Sequence, residues 1–128
     1  MGALMFGSCQ KEYVTPKPST PPPPPGSIKF SADIVPIFIT NCGKSGCHDA
    51  TTDKAGLNLS TAATAYEDLF DNSEIDTTNL PSSAATSNLY IRMTSTNTPM
   101  PPLSAGGKLS STETDKVLAW IKAGAKNN

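Results

Sequence analysis

The reactive side chains of this sequence concentrate in seven residues, Cys42-Gly-Lys-Ser-Gly-Cys47-His48. Four residues separate the two thiols, and the chain's single histidine directly follows the second. Two thiols can add to the two vinyl groups of a haem, and an imidazole beside the second thiol then falls beneath the iron. That chemistry commonly uses two intervening residues. With four, the extra pair has to bulge without driving the thiols apart, and Gly43 and Gly46 give the backbone that freedom. Other chemistries compete for the same residues. A structural zinc site takes four Cys or His ligands; the domain offers three, and adjacent Cys47 and His48 fit poorly on one tetrahedral ion. A Cys42–Cys47 disulfide would close a small loop in an exported protein. A cysteine nucleophile with a histidine base would need an orienting group, and none stands out.

Iron held by His48 has a second axial position. Met100 is the stronger candidate for it, because it lies between Pro99 and Pro101-Pro102 in a stretch that cannot curl into a helix. A stiff, extended loop can present a thioether with little entropy left to lose. Met93 competes, but it falls in an expected helix, where a core role is the default. Arg92 and Trp120 are further candidates to touch the haem or its propionates, against their ordinary roles at the surface and in the core. If protein fills both axial positions, no site is open to substrate. The expected work is then one-electron transfer, with the soft thioether favouring reduced iron. The alternatives are a haem sensor or peroxidase-like enzyme with a weak sixth ligand, or a haem-free binding module stabilised by the disulfide.

These residues need a scaffold, and the pattern around them is helical. Ser31–Asn41 reads as a helix leading into the cysteines, with Ser31 as cap, Asp33 suited to the positive end and Ile34, Ile37 and Phe38 forming an apolar stripe. Pro36 falls early in it, costing one backbone bond. Residues 42–56 read as loop and Gly56–Leu59 as a short extended piece. Thr61–Phe70 and Ala84–Thr94 read as helices, with a polar loop over Asp71–Ser83. The clearest element is the last. Ser110-Ser-Thr-Glu113 is a capping box, followed by Val117, Leu118, Trp120 and Ile121 at helical spacing, with Gly124 beyond the end. Almost no strand signal accompanies these, so an all-α domain is expected.

The 128 residues leave room for one domain. Residues 15–25 hold seven of the twelve prolines and form neither helix nor central strand. The expected organisation is therefore a linker over 10–29 and a folded domain over 30–128. The formal net charge of −1 gives no reason for a nucleic-acid partner. Seven carboxylates against one lysine between Asp49 and Asp76 make a solvated acidic face or a weak steering surface for a basic redox partner. A monomer is expected. The start, Met1-Gly-Ala-Leu-Met-Phe-Gly-Ser-Cys9, resembles the end of a bacterial lipoprotein signal peptide, although its apolar segment is short and lacks a basic flank. That resemblance implies a truncated signal over 1–9, lipidation of Cys9 and attachment at the periplasmic side or the cell surface of a bacterial membrane. Lipidated, Cys9 would leave two thiols for two vinyls. A polyproline tether over 10–29 would reach about 60 Å, at roughly 3.1 Å per residue.

Several segments in fixed order resemble a bacterial cytochrome c family. They are Asp33-Ile-Val-Pro-Ile-Phe38, the cysteine–histidine motif, Ala55-Gly-Leu-Asn-Leu59, Ser87-Asn-Leu-Tyr-Ile-Arg92-Met, Met100-Pro-Pro, and a final helix ending Ala119-Trp-Ile-Lys-Ala-Gly-Ala125. The chain is similar to small single-haem domains with four-residue spacing, including planctomycete-type ones, over about residues 28–126. The resemblance implies the class I-like cytochrome c fold, in which first and last helices cross, with one covalent haem c. It makes Cys42 and Cys47 the thioether attachments, His48 the proximal iron ligand and Met100 the distal one. It also implies an electron carrier, with unidentified redox protein partners, and not an enzyme.

Overall fold

The computed structural model describes residues 26–128, together with Pro21 and Pro24. Cys9 and most of the proline-rich stretch lie outside the described residues. Among the described residues the architecture is all-α, with four α-helices joined by turns and no strand. They are α1 (Val35–Asn41), α2 (Ala62–Asp71), α3 (Asn88–Thr94) and α4 (Ser111–Lys122). No helix among them is long and apolar enough to cross a membrane.

The first helical segment opens differently from the pattern. A wide π-helical turn, Phe30–Ile34, runs into α1, and Lys29 precedes it with no side-chain cap. Pro36 explains the change of pitch, since it has no N–H to donate back along the helix. The Val35 N–H instead reaches Phe30 O, five residues back. Ser31 is not the cap. Its N–H and hydroxyl both donate to Asn128 O at 2.9 Å, and Phe30 N–H donates to Asn128 Oδ1 at 2.9 Å. The orphan donors of this helix start are satisfied by the distant tail. Asp33 acts locally, accepting from Lys29 N–H at 2.8 Å.

Phe30 then anchors the core. It stacks on Trp120 of α4 at 5.0 Å and meets Tyr66 of α2 edge-on at 5.3 Å. The start of the first helical segment and α4 therefore pack together, with Ile34, Phe38, Val117 and Ile121 fully buried around them. Aromatic contacts of this kind add to the apolar burial. Ile28 is already buried, so the core begins two residues before the boundary expected at residue 30.

The remaining elements follow local chemistry. Thr61 caps α2, its hydroxyl accepting from Thr64 N–H. The helix expected over Ala84–Thr94 is two pieces, a 3₁₀ turn (Ser82–Thr86) and α3. They break at Ser87, which is extended, buried and hydrogen-bonded to Ser83 O and Asp76 N–H. Glu113 and Ser110 form the capping box of α4 as the sequence indicates, and Gly124 takes φ +105° beyond its end.

Candidate functional site

The sulfurs come from the end of α1. Cys42 and Gly43 N–H groups both donate to Phe38 O, at 2.7 and 2.8 Å, closing the helix at the first cysteine. The chain then turns back on itself. Cys47 N–H donates to Lys44 O at 3.0 Å and His48 N–H to Cys42 O at 3.2 Å, so the second cysteine and the histidine return beside the first. The two glycines serve different purposes. Gly46 sits at φ +81°, a left-handed conformation that other residues adopt at a cost. Gly43 needs no unusual φ; a Cβ there would lie 2.6 Å from Leu59 O, so the position requires close approach of two backbones.

That approach matters because the Gly56–Leu59 segment lines the floor. Leu59 N–H donates to His48 O at 2.8 Å, and alternation sends both Leu57 and Leu59 into the interior. This extended piece is no strand, having a one-sided partner and a 3₁₀ turn (Lys54–Gly56) in front of it.

His48 is oriented by a bond the sequence did not indicate. Its Nδ1 lies 2.9 Å from Lys54 O. A carbonyl oxygen only accepts, so Nδ1 carries a proton, and in the neutral ring Nε2 is left with its lone pair. An imidazole held through Nδ1 by a backbone carbonyl is the arrangement that orients a metal-ligating histidine.

Cys42, Cys47 and His48 line one cavity of about 480 Å³, within the usual range for a small-molecule or cofactor site. The rest of its wall is largely apolar, with Leu57, Leu59, Leu89 and Met93 buried. Met100 and Pro101 line it too, so both candidate thioethers reach the cavity that holds the histidine and the thiols. Met93 and Leu89 come from α3 and belong equally to the hydrophobic core. Met100 comes from the loop beyond α3, and its N–H donates to Arg92 O at 2.9 Å.

Polar groups enter this wall at few points. Arg92 lines it and donates to Thr98 Oγ1 at 3.1 Å. Glu74 and Asn88 line it as a pair, the Asn88 amide donating to the carboxylate at 2.6 Å. Asn41 adds an amide that donates to Glu113 Oε1 at 3.3 Å, linking the end of α1 to the capping box of α4. Sequence reasoning singled out Arg92 and missed Glu74, Asn88 and the Lys54 carbonyl, none of which has a local signature. Trp120 is core: it stacks on Phe30, and its indole N–H donates to Lys126 O at 2.9 Å.

The thiols are not bonded to each other. Burial, and then the neighbouring Cys47, push the Cys42 thiol up to about 11. Its surroundings thus favour an uncharged sulfur, which suits a thioether and opposes a thiolate nucleophile or thiolate metal ligand. Among the described residues no group of three or more His, Cys, Asp or Glu side chains gathers that could hold a metal ion by itself. The donor set is instead two thiols, one imidazole with a free Nε2, and thioethers around an apolar cavity. That set fits a haem.

No family model, no curated protein and no solved structure matches this chain. The functional reading therefore rests on the cavity and its residues.

Proposed function

We propose that this chain is a one-electron carrier of the cytochrome c type, holding one covalent haem in the cavity between α1, the Leu57–Leu59 segment and α3. The observation that carries the reading is the His48–Lys54 hydrogen bond, which fixes an imidazole with free Nε2 on the same apolar cavity as two unbonded thiols and a loop thioether. Cys42 and Cys47 would hold the porphyrin as thioethers, and His48 and Met100 would hold the iron. The packing of the first and last helical segments through Phe30 and Trp120 agrees with a class I-like cytochrome c fold.

Bound haem supplies a metal that accepts or releases one electron with no bond chemistry at a substrate. The protein's part is electrostatic and geometric. The Lys54 carbonyl fixes which nitrogen of His48 carries the proton and stops its ring from rotating. Leu57, Leu59, Leu89 and Met93 keep water from the cavity, which disfavours the extra positive charge of an oxidised centre. Met100 would act in the same direction, as a soft ligand preferring the reduced metal. Pro99 and Pro101 are buried on either side of it and stiffen the loop.

Electrons would pass between the haem and protein partners. Lipidation at Cys9 would keep the carrier at the periplasmic side or the surface of a bacterial membrane. Intact mass of the membrane fraction tests that anchor, which requires a diacylglycerol adduct.

The deciding experiment is expression in a host with working cytochrome assembly machinery, then haem staining after denaturing electrophoresis. A stained band at the size of the chain is expected. Its absence, with Cys42 and Cys47 free or joined to each other, would overturn the reading. Met100→Ala is expected to lower the midpoint potential and admit exogenous ligands; a native spectrum in that variant would move the distal role to Met93 or elsewhere.

A further inference from the structure

We infer that Arg92 is a positioning residue for the distal thioether, holding the Met100 loop at two points through one side chain and one carbonyl. This inference rests on the haem reading above.

The loop after α3 is short, polar and attached to the helix by a local network. Thr98 N–H donates to Ser95 Oγ at 3.0 Å, which folds residues 95–98 into a turn. The Thr98 hydroxyl then accepts from the Arg92 guanidinium at 3.1 Å. Two residues further on, Met100 N–H donates to Arg92 O at 2.9 Å. One residue in the last turn of α3 thus fixes the loop immediately before the methionine and at the methionine itself. Arg92, Met93 and Met100 all line the cavity, so the clamp stands at the wall it serves.

The carbonyl bond would persist in any residue at position 92. The guanidinium bond would not, and it ties the Ser95–Thr98 turn back to α3 just before the chain enters Pro99-Met100. Without it the exposed part of the loop, residues 96–98, gains freedom next to the thioether, and a ligand held by that loop loses occupancy to competitors. A single hydrogen bond of this kind changes an equilibrium by roughly five- to tenfold.

The test uses the haem-loaded full chain and its variants Arg92→Gln, Arg92→Lys and Thr98→Val, titrated in the ferric state with imidazole. Imidazole affinity is expected to rise roughly fivefold to tenfold in Arg92→Gln and in Thr98→Val. The thioether-to-iron charge-transfer band is expected to weaken in parallel, and Arg92→Lys to restore part of both. Thr98→Val leaves the charge at position 92 intact, so it separates positioning from the field of the guanidinium. Native imidazole affinity and a native band in both Arg92→Gln and Thr98→Val would overturn the inference while leaving the haem reading in place. A Met100→Ala protein that keeps the native band would overturn it by removing the ligand it positions. A protein that is colourless before any substitution would remove both readings at once.

Discussion

Single residues in this site can be tested through the physical quantity each controls. Burial holds the Cys42 thiol at about 11, above its ordinary 9.0. In the reduced, haem-free chain the folded form therefore keeps a proton that the unfolded form gives up between pH 9 and 11. Stability that is fully present below pH 9 is lost as pH rises through that window. The whole loss amounts to about 2–3 kcal/mol, from ~1.4 kcal/mol per pH unit. Denaturant unfolding at pH 8 and pH 11 checks it, and a Cys42→Ala chain is expected to lose the difference. Glu74 offers a second test. Its backbone is pinned from both sides, with N–H donating to Leu69 O at 2.9 Å and C=O accepting from Leu89 N–H at 3.0 Å, so its carboxylate has a fixed place on the wall. A negative charge there favours an oxidised centre. Glu74→Gln keeps an acceptor for Asn88 and is expected to raise the midpoint potential of the loaded protein, read by redox titration at pH 7. Gly43→Ala is the third. Its Cβ would meet Leu59 O at 2.6 Å, and moving two backbones apart is expected to cost about 1–3 kcal/mol, read as a lower unfolding midpoint.

At the scale of elements, α4 is the part most legible in the sequence, because everything that starts it is local. Ser110 and Glu113 exchange hydrogen bonds within three residues, the Ser110 N–H donating to Glu113 Oε2 at 2.9 Å. Burial alone would push the Glu113 carboxyl up, but the Ser110 bonds and the Asn41 amide outweigh it and hold the group below its ordinary value. The depressed value adds stability above the usual carboxylate range, lost as pH falls through it. Ser110→Ala is expected to cost about 1 kcal/mol, seen in thermal unfolding as a drop of roughly 4–8 °C. The start of the first helical segment was not legible for the opposite reason. Ser31 has the right chemistry for a cap, but Pro36 changes the pitch behind it, and the donors find Asn128 nearly a hundred residues away. Ser87 breaks the third helical region because its side chain is needed by Ser83 and Asp76. Periodicity carries no trace of such tertiary competition.

For the whole molecule, helical class and the cavity's principal residues could be read from residue types and spacing, since Cys42, Cys47, His48, Met93 and Met100 all meet on one cavity. What could not be read was the wall between them. Lys54 acts through its backbone carbonyl, which any residue possesses, and Glu74 with Asn88 converges from two elements distant from the cysteines. The whole molecule also has a hollow whose lining is mostly apolar, and filling it should matter as much as any single contact. Haem-loaded protein is expected to unfold at a clearly higher temperature than the same chain made without haem, in side-by-side calorimetry under reducing conditions. Equal midpoints would count against the proposed haem site.

The last four residues close the fold. Ala125 O accepts from the Tyr66 hydroxyl at 3.0 Å, Lys126 O from the Trp120 indole, and Asn128 from Phe30 and Ser31. The beginning of the helical core is thus completed by a residue nearly a hundred positions further along the chain. Contacts across so long a separation carry a loop-closure cost that local contacts do not. Removing residues 125–128 would therefore unpair the donors of Phe30, Ser31, Tyr66 and Trp120 together, loosening α2, α4 and the first helical segment at one stroke.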